Sequence, residues 1–179
     1  MGIASTYKKW RKLYFLLILV FSTYYVHLLV SERSLPEGIK IDHLVVHKSE
    51  RKLEAYSKGE LVKSYSISLG KTPVGDKQYE GDNKTPEGRY TINDKNLNSA
   101  YYKNLGVSYP NAANRREAAR LGKPVGGDIK IHGLPNKMPF IGRMHRLLDW
   151  TAGCMAVTND EMEELYRAVP VGTPIEIKP

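Results

Sequence analysis

The chain has 179 residues, 41% of them hydrophobic and 26% charged, which fits one ordinary globular domain and excludes a disordered or fibrous polymer. Half of the formal net charge of +8 lies in residues 1–33, where Lys8, Lys9, Arg11, Lys12 and Arg33 stand against Glu32. The rest is only mildly basic and lacks Lys/Arg runs interleaved with aromatics, so no nucleic-acid partner is expected.

The basic cluster precedes an apolar run, Leu13 to Phe21, which is interrupted by Ser22 and Thr23 and resumes through Tyr24 to Val30. This pattern predicts a basic cytoplasmic N-terminus over 1–12 and a transmembrane helix over 13–30. No small-residue cleavage site ends the run, which favours an uncleaved anchor. A single-pass inner-membrane protein follows, with the rest of the chain in the periplasm or cell envelope. Residues 31–38, ending in Pro36-Glu37-Gly38, read as a linker.

Residues 39–179 form the expected domain. Ile39 to Val46, Lys52 to Tyr56 and Leu61 to Leu69 predict three strands, with Lys58-Gly59 turning the chain between the last two. Gly/Pro-punctuated loops at Gly70–Gly75 and Gly81–Gly88 precede a strand at Arg89–Ile92. Asn114 to Leu121, stopped by Gly122, predicts a short helix. Asp128 to His132 alternates as a strand and carries His132 at its end. Lys137 to Leu148 reads as partly helical, and Gly153 to Val157 as buried strand. Thr158 and Glu161 form a capping-box pattern ahead of a helix, and Pro174 to Ile177 predicts a last strand.

The lone cysteine, Cys154, excludes an internal disulfide and a Cys-rich zinc site. Cysteine catalysis needs an activated thiol, a base, donors for an oxyanion and access for substrate. Gly133 after His132 lets the backbone turn away from the imidazole, and Gly153 before Cys154 permits close approach of backbone, with the Gly153 and Cys154 amides as candidate oxyanion donors. Burial of Cys154 among Met155 and Val157, and a structural role for His132, are the competing readings.

Three stretches taken together bear on this choice: Gly81-Asp82-Asn83-Lys84-Thr85-Pro86-Glu87-Gly88-Arg89-Tyr90, then Ile131-His132-Gly133, then Thr151-Ala152-Gly153-Cys154. In that order they resemble the YkuD-type L,D-transpeptidase catalytic domain over about residues 39–178. The resemblance implies a mainly β fold with inserted helices (α+β), a β-sandwich-like catalytic domain, here preceded by one N-terminal transmembrane helix. Read from the residues themselves, Gly153 adjoins the candidate nucleophile, and Thr151, Gly133, His145 and Arg143 are substrate-binding candidates, with Arg143 and Arg146 suited to a stem-peptide carboxylate. The resemblance implies Cys154 as acylated nucleophile and His132 as base. It further implies acyl transfer on peptidoglycan stem peptides, with no metal or organic cofactor.

Two positions depart from the family motif. Ala152 stands where His is usual, and Ala156 where Arg or Asn is usual. With one imidazole fewer, the thiol depends chiefly on His132, and its titration is expected below the ordinary thiol value of about 8.5. The departures leave three outcomes open for the same site. These are transpeptidation, hydrolysis (as an L,D-carboxypeptidase or as an amidase detaching a peptidoglycan-linked lipoprotein), and binding of wall peptides without turnover.

Overall fold

The computed structural model describes residues 3–29 and 34–179, with side chains described over 10–23 and from Ser34 onward. The chain divides into two compact units at the Ser34/Leu35 boundary. The first holds one helix, α1 (Ile3–Leu29). Among the described residues no helix is long and apolar enough to cross a membrane. Its apolar stretch ends at Ser22 and Thr23, whose hydroxyls donate to the Leu19 and Val20 carbonyls. At about 1.5 Å per residue, Leu13 to Phe21 covers about 14 Å, under half of a hydrocarbon core of about 30 Å. The expected transmembrane segment over 13–30 is therefore overturned, and with it the membrane as a partner and the single-pass inner-membrane placement. The end of that segment, Val30, and the linker residues 31–33 lie outside the described residues.

In the second unit, β1 (His43–His47), β2 (Lys52–Ser57) and β3 (Glu60–Ser66) form an antiparallel meander. Lys58 and Gly59, both at positive φ, make the tight turn that a two-residue hairpin requires. The last strand, β8 (Pro174–Lys178), returns to lie parallel to β1. On its other side is β4 (Gly88–Ser99), whose Gly88–Thr91 half pairs with β8 while its Ile92–Ser99 half pairs with β5 (Tyr102–Val107). β6 (Lys130–His132) is antiparallel to β5, and β7 (Met155–Ala156) is parallel to β6.

The expected sandwich of two sheets is thus corrected. There is one curled eight-stranded sheet, ordered β3-β2-β1-β8-β4-β5-β6-β7, with the long β4 serving both halves. The sequence reading stops β4 at Ile92 and misses β5. Asn93 to Asn104 is rich in Asn, Asp and Lys, residues depleted in strands, and only pairing with neighbouring strands overrides that preference. The 99–102 turn is clamped from outside, because Asn136 donates to Ser99 O through its side chain and to Ala100 O through its backbone, while its Oδ1 accepts from Tyr102 N.

Leu44, Val46, Leu53, Ile92, Leu105, Ile131 and Met155 form the buried face of the sheet, and α3 (Asn159–Ala168) packs Met162 and Leu165 against it. α2 (Ala112–Arg120) begins two residues before the predicted start because Asn111 caps it, its Oδ1 accepting from Ala113 N and Asn114 N. The Lys137–Leu148 stretch holds a 3-10 segment, Pro139–Leu147, broken at Gly142 (φ 46°). At the start of α3, Thr158 N donates to Glu161 Oε2 (2.9 Å) and Glu161 N to Thr158 Oγ1 (3.4 Å). Thr158→Ala should cost about 1 kcal/mol of stability, measured by urea denaturation, because the first turn of the helix loses its cap.

Candidate active site

A cavity of about 530 Å³ opens where the C-terminal half of β4, β5, β6 and the turn before β7 converge, with Cys154 and His132 both on its wall. The two-residue parallel pairing of β6 with β7 sets Ile131 opposite Met155 and His132 opposite Ala156, so Cys154, one residue before β7, falls in line with Lys130 and lies diagonally across from His132 on the same face.

His132 is 5% exposed, and its Nδ1 lies 2.7 Å from Gly133 O. A carbonyl oxygen only accepts, so Nδ1 carries the proton and Nε2 presents a lone pair. Tyr101 and Trp150 pack on the ring, with centroids at 4.7 and 5.6 Å. Burial holds the imidazole below its ordinary pKa, only partly offset by the bond to Gly133. His132 is therefore biased towards the neutral imidazole.

Cys154 is part-buried and unpaired with any other cysteine. Its Sγ donates to Asp128 O at 3.4 Å. Burial pushes the thiol above its ordinary range, against the downward pull of the Lys130 backbone N–H and charge. The sequence-based expectation of a depressed thiol is reversed, because desolvation outweighs the nearby positive charges.

The turn carrying the thiol is braced by Thr151, whose Oγ1 accepts from Gly153 N (3.1 Å) and donates to Cys154 O (2.8 Å). The Gly153 N–H is thus engaged by Thr151 rather than free for an oxyanion. Gly153 sits at φ +136°, and a Cβ there would lie 2.6 Å from Lys84 O. A Cβ on Gly70 would lie 2.2 Å from Asn83 O. The 81–88 loop therefore lies directly against the thiol turn. It is held by Asp82, which takes a 2.7 Å ion pair from Lys77 and backbone N–H bonds from Gln78, Tyr79 and Lys84. Burial would raise the Asp82 carboxyl, but these donors outweigh it and leave it below its usual range.

The other predicted residues divide. Gly133 holds the His132 ring through its carbonyl, and Thr151 lines the cavity while bracing the thiol turn. His145 is buried away from the cavity wall: Ser68 Oγ donates to His145 O (2.8 Å) and lies 3.1 Å from His145 Nδ1. With the Ser68 proton used on the carbonyl, Nδ1 is the donor there, and burial pushes the imidazole down to about 4. Arg143 is on the 3-10 segment and does not line the cavity. Arg146, another sequence candidate for a substrate carboxylate, is paired with Glu161 at 2.5 Å. Of the two motif departures, Ala152 lines the cavity and Ala156 is fully buried.

Sequence reasoning missed Tyr101, Asn104, Lys71 and Lys130, which also line the cavity. Lys130 precedes His132 by one turn of strand alternation and was within reach of a strand-face argument. Tyr101 and Asn104 depend on β5, which no periodicity announces. Among the described residues, no cluster of three or more His, Cys, Asp or Glu is placed to hold a metal ion.

Residues 41–177 match the family model of the L,D-transpeptidase catalytic domain, YkuD. The chain belongs to that family. YafK of Escherichia coli (strain K12), named as an L,D-transpeptidase by inference, is 32% identical over 134 residues, 71% of this chain and 46% of that protein. YqjB of Bacillus subtilis (strain 168), named likewise, is 27% identical over 138 residues, 75% of this chain and 70% of that one. A mutant of the helical cell shape determining protein Pgp2 from Campylobacter jejuni is similar in structure, at 27% identity and a TM-score of 0.59, over 81% of this chain and 49% of that one. Bd1075 of Bdellovibrio bacteriovorus gives 26% and 0.54, over 81% and 50%. This chain thus spans about half the length of YafK and of both structures.

Gly153→Ala should destabilise the fold by about 2 kcal/mol, because the side chain meets both a left-handed φ and the Lys84 carbonyl. Thermal unfolding together with the rate of Cys154 alkylation by iodoacetamide checks this, and both should suffer.

Proposed function

We propose that this chain is a cysteine acyltransferase acting on peptidoglycan stem peptides, with Cys154 as nucleophile and His132 as base. The observation that carries the reading is the fixed tautomer of His132: Nδ1 is bound to Gly133 O, and Nε2 makes no hydrogen bond among the described residues while its ring lines the cavity that holds Cys154.

In the first step Sγ attacks the carbonyl carbon of an L,D amide. The thiol proton passes to His132 Nε2, the S–C bond forms, and the C–N bond breaks as the proton is delivered to the departing amine. In the second step an amine or water attacks the thioester, its proton passes to Nε2, and the thiolate leaves and is reprotonated. The neutral imidazole suits this sequence because it accepts and returns one proton at each stage. The likeness to a protein named for helical cell shape favours wall remodelling as the setting. Muropeptide digestion distinguishes the second substrate. Cross-linked products indicate an amine acceptor, and release of D-alanine alone or of a wall-linked lipoprotein indicates water.

His132→Ala should slow acylation of Cys154 by about 10²- to 10⁴-fold, read by mass spectrometry after exposure to tetrapeptide muropeptide or a carbapenem. His145→Ala should be mild, and equal rates in the two variants would sink the assignment of the base. The pH dependence follows from the two shifts. A base whose pKa is lowered stays available as pH falls through 6.5, so acylation should be lost only below that value. A thiol whose pKa is raised forms free thiolate late, so iodoacetamide alkylation should keep rising above pH 9.0. Stopped-time assays of both reactions across pH 4 to 10 test the pair, and an alkylation midpoint near neutrality would contradict it.

A further inference from the structure

The sheet register places Asn104 directly opposite His132 on one side and opposite Asn96 on the other. Directly opposed residues on neighbouring strands share a face, so Asn104 and His132 stand side by side. The strand order β5-β6-β7 puts β5 and β7 on opposite sides of β6, and Cys154, one residue before β7 and in line with Lys130, stands diagonally from the imidazole on the side away from Asn104.

Asn104 is 2% exposed, yet it lines the cavity, and its Oδ1 is sealed from solvent with no hydrogen-bond partner. Its Nδ2 is not among the sealed, partnerless atoms, so Nδ2 is the end of the carboxamide that meets the cavity. An unpartnered buried oxygen destabilises the free protein, and an apolar side chain of the same shape would not carry that penalty. Nothing in the packing of β5 calls for a carboxamide at this position, where Leu105 next to it fills the core on the other face.

We infer that Asn104 is a specificity residue for the amine side of the reaction: its Nδ2 donates to a carboxylate or carbonyl oxygen of the amino acid whose nitrogen leaves in the first step or attacks in the second. This rests on the reading of Cys154 and His132 given above. The nitrogen that exchanges a proton with Nε2 lies at the imidazole, the acyl group lies towards Sγ, and the remainder of the amino acid extends away from Sγ, towards Asn104. In the exchange step the amine nitrogen bonds to the thioester carbon, the C–S bond breaks, and the proton goes through Nε2 to the thiolate.

The test uses the full chain and the variants N104L and N104D, each with three readouts. The first is carbapenem adduct formation on Cys154, where the lactam C–N bond opens within the ring and no separate amino acid departs. The second is incorporation of labelled D-alanine, or of D-alaninamide, into a tetrapeptide muropeptide in place of its terminal residue. The third is thermal unfolding. The proposal expects adduct formation within about twofold of the natural protein in N104L, an unfolding temperature equal to or above it, and a half-saturating D-alanine concentration raised about tenfold or more. N104D, which keeps the shape and loses the donor, should show the same loss of saturation. D-Alaninamide should share the loss if a carbonyl oxygen is read and escape it if the carboxylate is, and either result supports the subsite. Unchanged half-saturation in both variants overturns it. So does a parallel fall in adduct formation and exchange, or a lowered unfolding temperature in N104L, because Asn104 would then support the fold or the base. Absence of any adduct in the natural protein would instead remove the acyltransferase reading itself.

Discussion

The site hangs on two residues of parallel pairing. β6 and β7 pair through Ile131 with Met155 and His132 with Ala156, and this short ladder sets the imidazole and, diagonally across from it, the thiol of the residue entering β7 on one face. So brief a ladder does not hold by itself. It is flanked by bridges from the chain after β3, Ser68 to Ala156 and Gly70 to Thr151, which tie the thiol segment to the sheet from its far side. Gly70 and Gly153 are the points where these backbones press against the Asn83 and Lys84 carbonyls. The glycines of the 70–88 region and of the thiol turn are thus parts of one close-packed backbone junction, and Asp82 with Lys77 secures its outer loop.

How much of this was legible in the sequence depended on whether a residue spoke through local chemistry or through long-range pairing. His132 at the end of an alternating run, Gly133 after it, and the Gly153-Cys154 pair ahead of a capped helix are local signals, and the strands and helix they predict are present. The curled single sheet was not legible, because nothing in Asn93 to Asn104 favours a strand; those residues are held by the pairing of β4 with β5, of β5 with β6, and by the Asn136 clamp. The same gap hid Tyr101 and Asn104. At the N-terminus the error ran the other way: an apolar run following a basic cluster looked like an anchor, while the described part of that run is too short and too interrupted to serve as one.

The electrostatics of the pair also differ from the form the sequence suggested. A thiolate–imidazolium pair would need the charges around Cys154 to outweigh desolvation, and here they do not. Burial disfavours the charged form of both partners, raising the thiol and lowering the imidazole, so the resting pair is neutral. Such a pair is protected from adventitious oxidation, since the thiolate is the reactive form, and in the proposed mechanism it acquires charge only as the proton moves to Nε2. The packing of Tyr101, tilted, and Trp150, edge-on, against His132 serves the same end by shielding the imidazole from water.

The two departures from the family motif are therefore unequal. Ala152 is exposed on the cavity wall, so a side chain there bears on what approaches Cys154. Ala156 stands in the row between His132 and Ser68, paired with both and fully buried. A long polar side chain at 156 would rise on the face where Ser68 holds the buried His145 imidazole, and the two groups would compete for the same ground. A histidine from the 3-10 segment, kept neutral by burial, is seated on Ser68 in that row, next to the small residue at 156. Position 156 therefore bears on the packing beside His132 and Ser68, whereas position 152 bears on the mouth of the cavity.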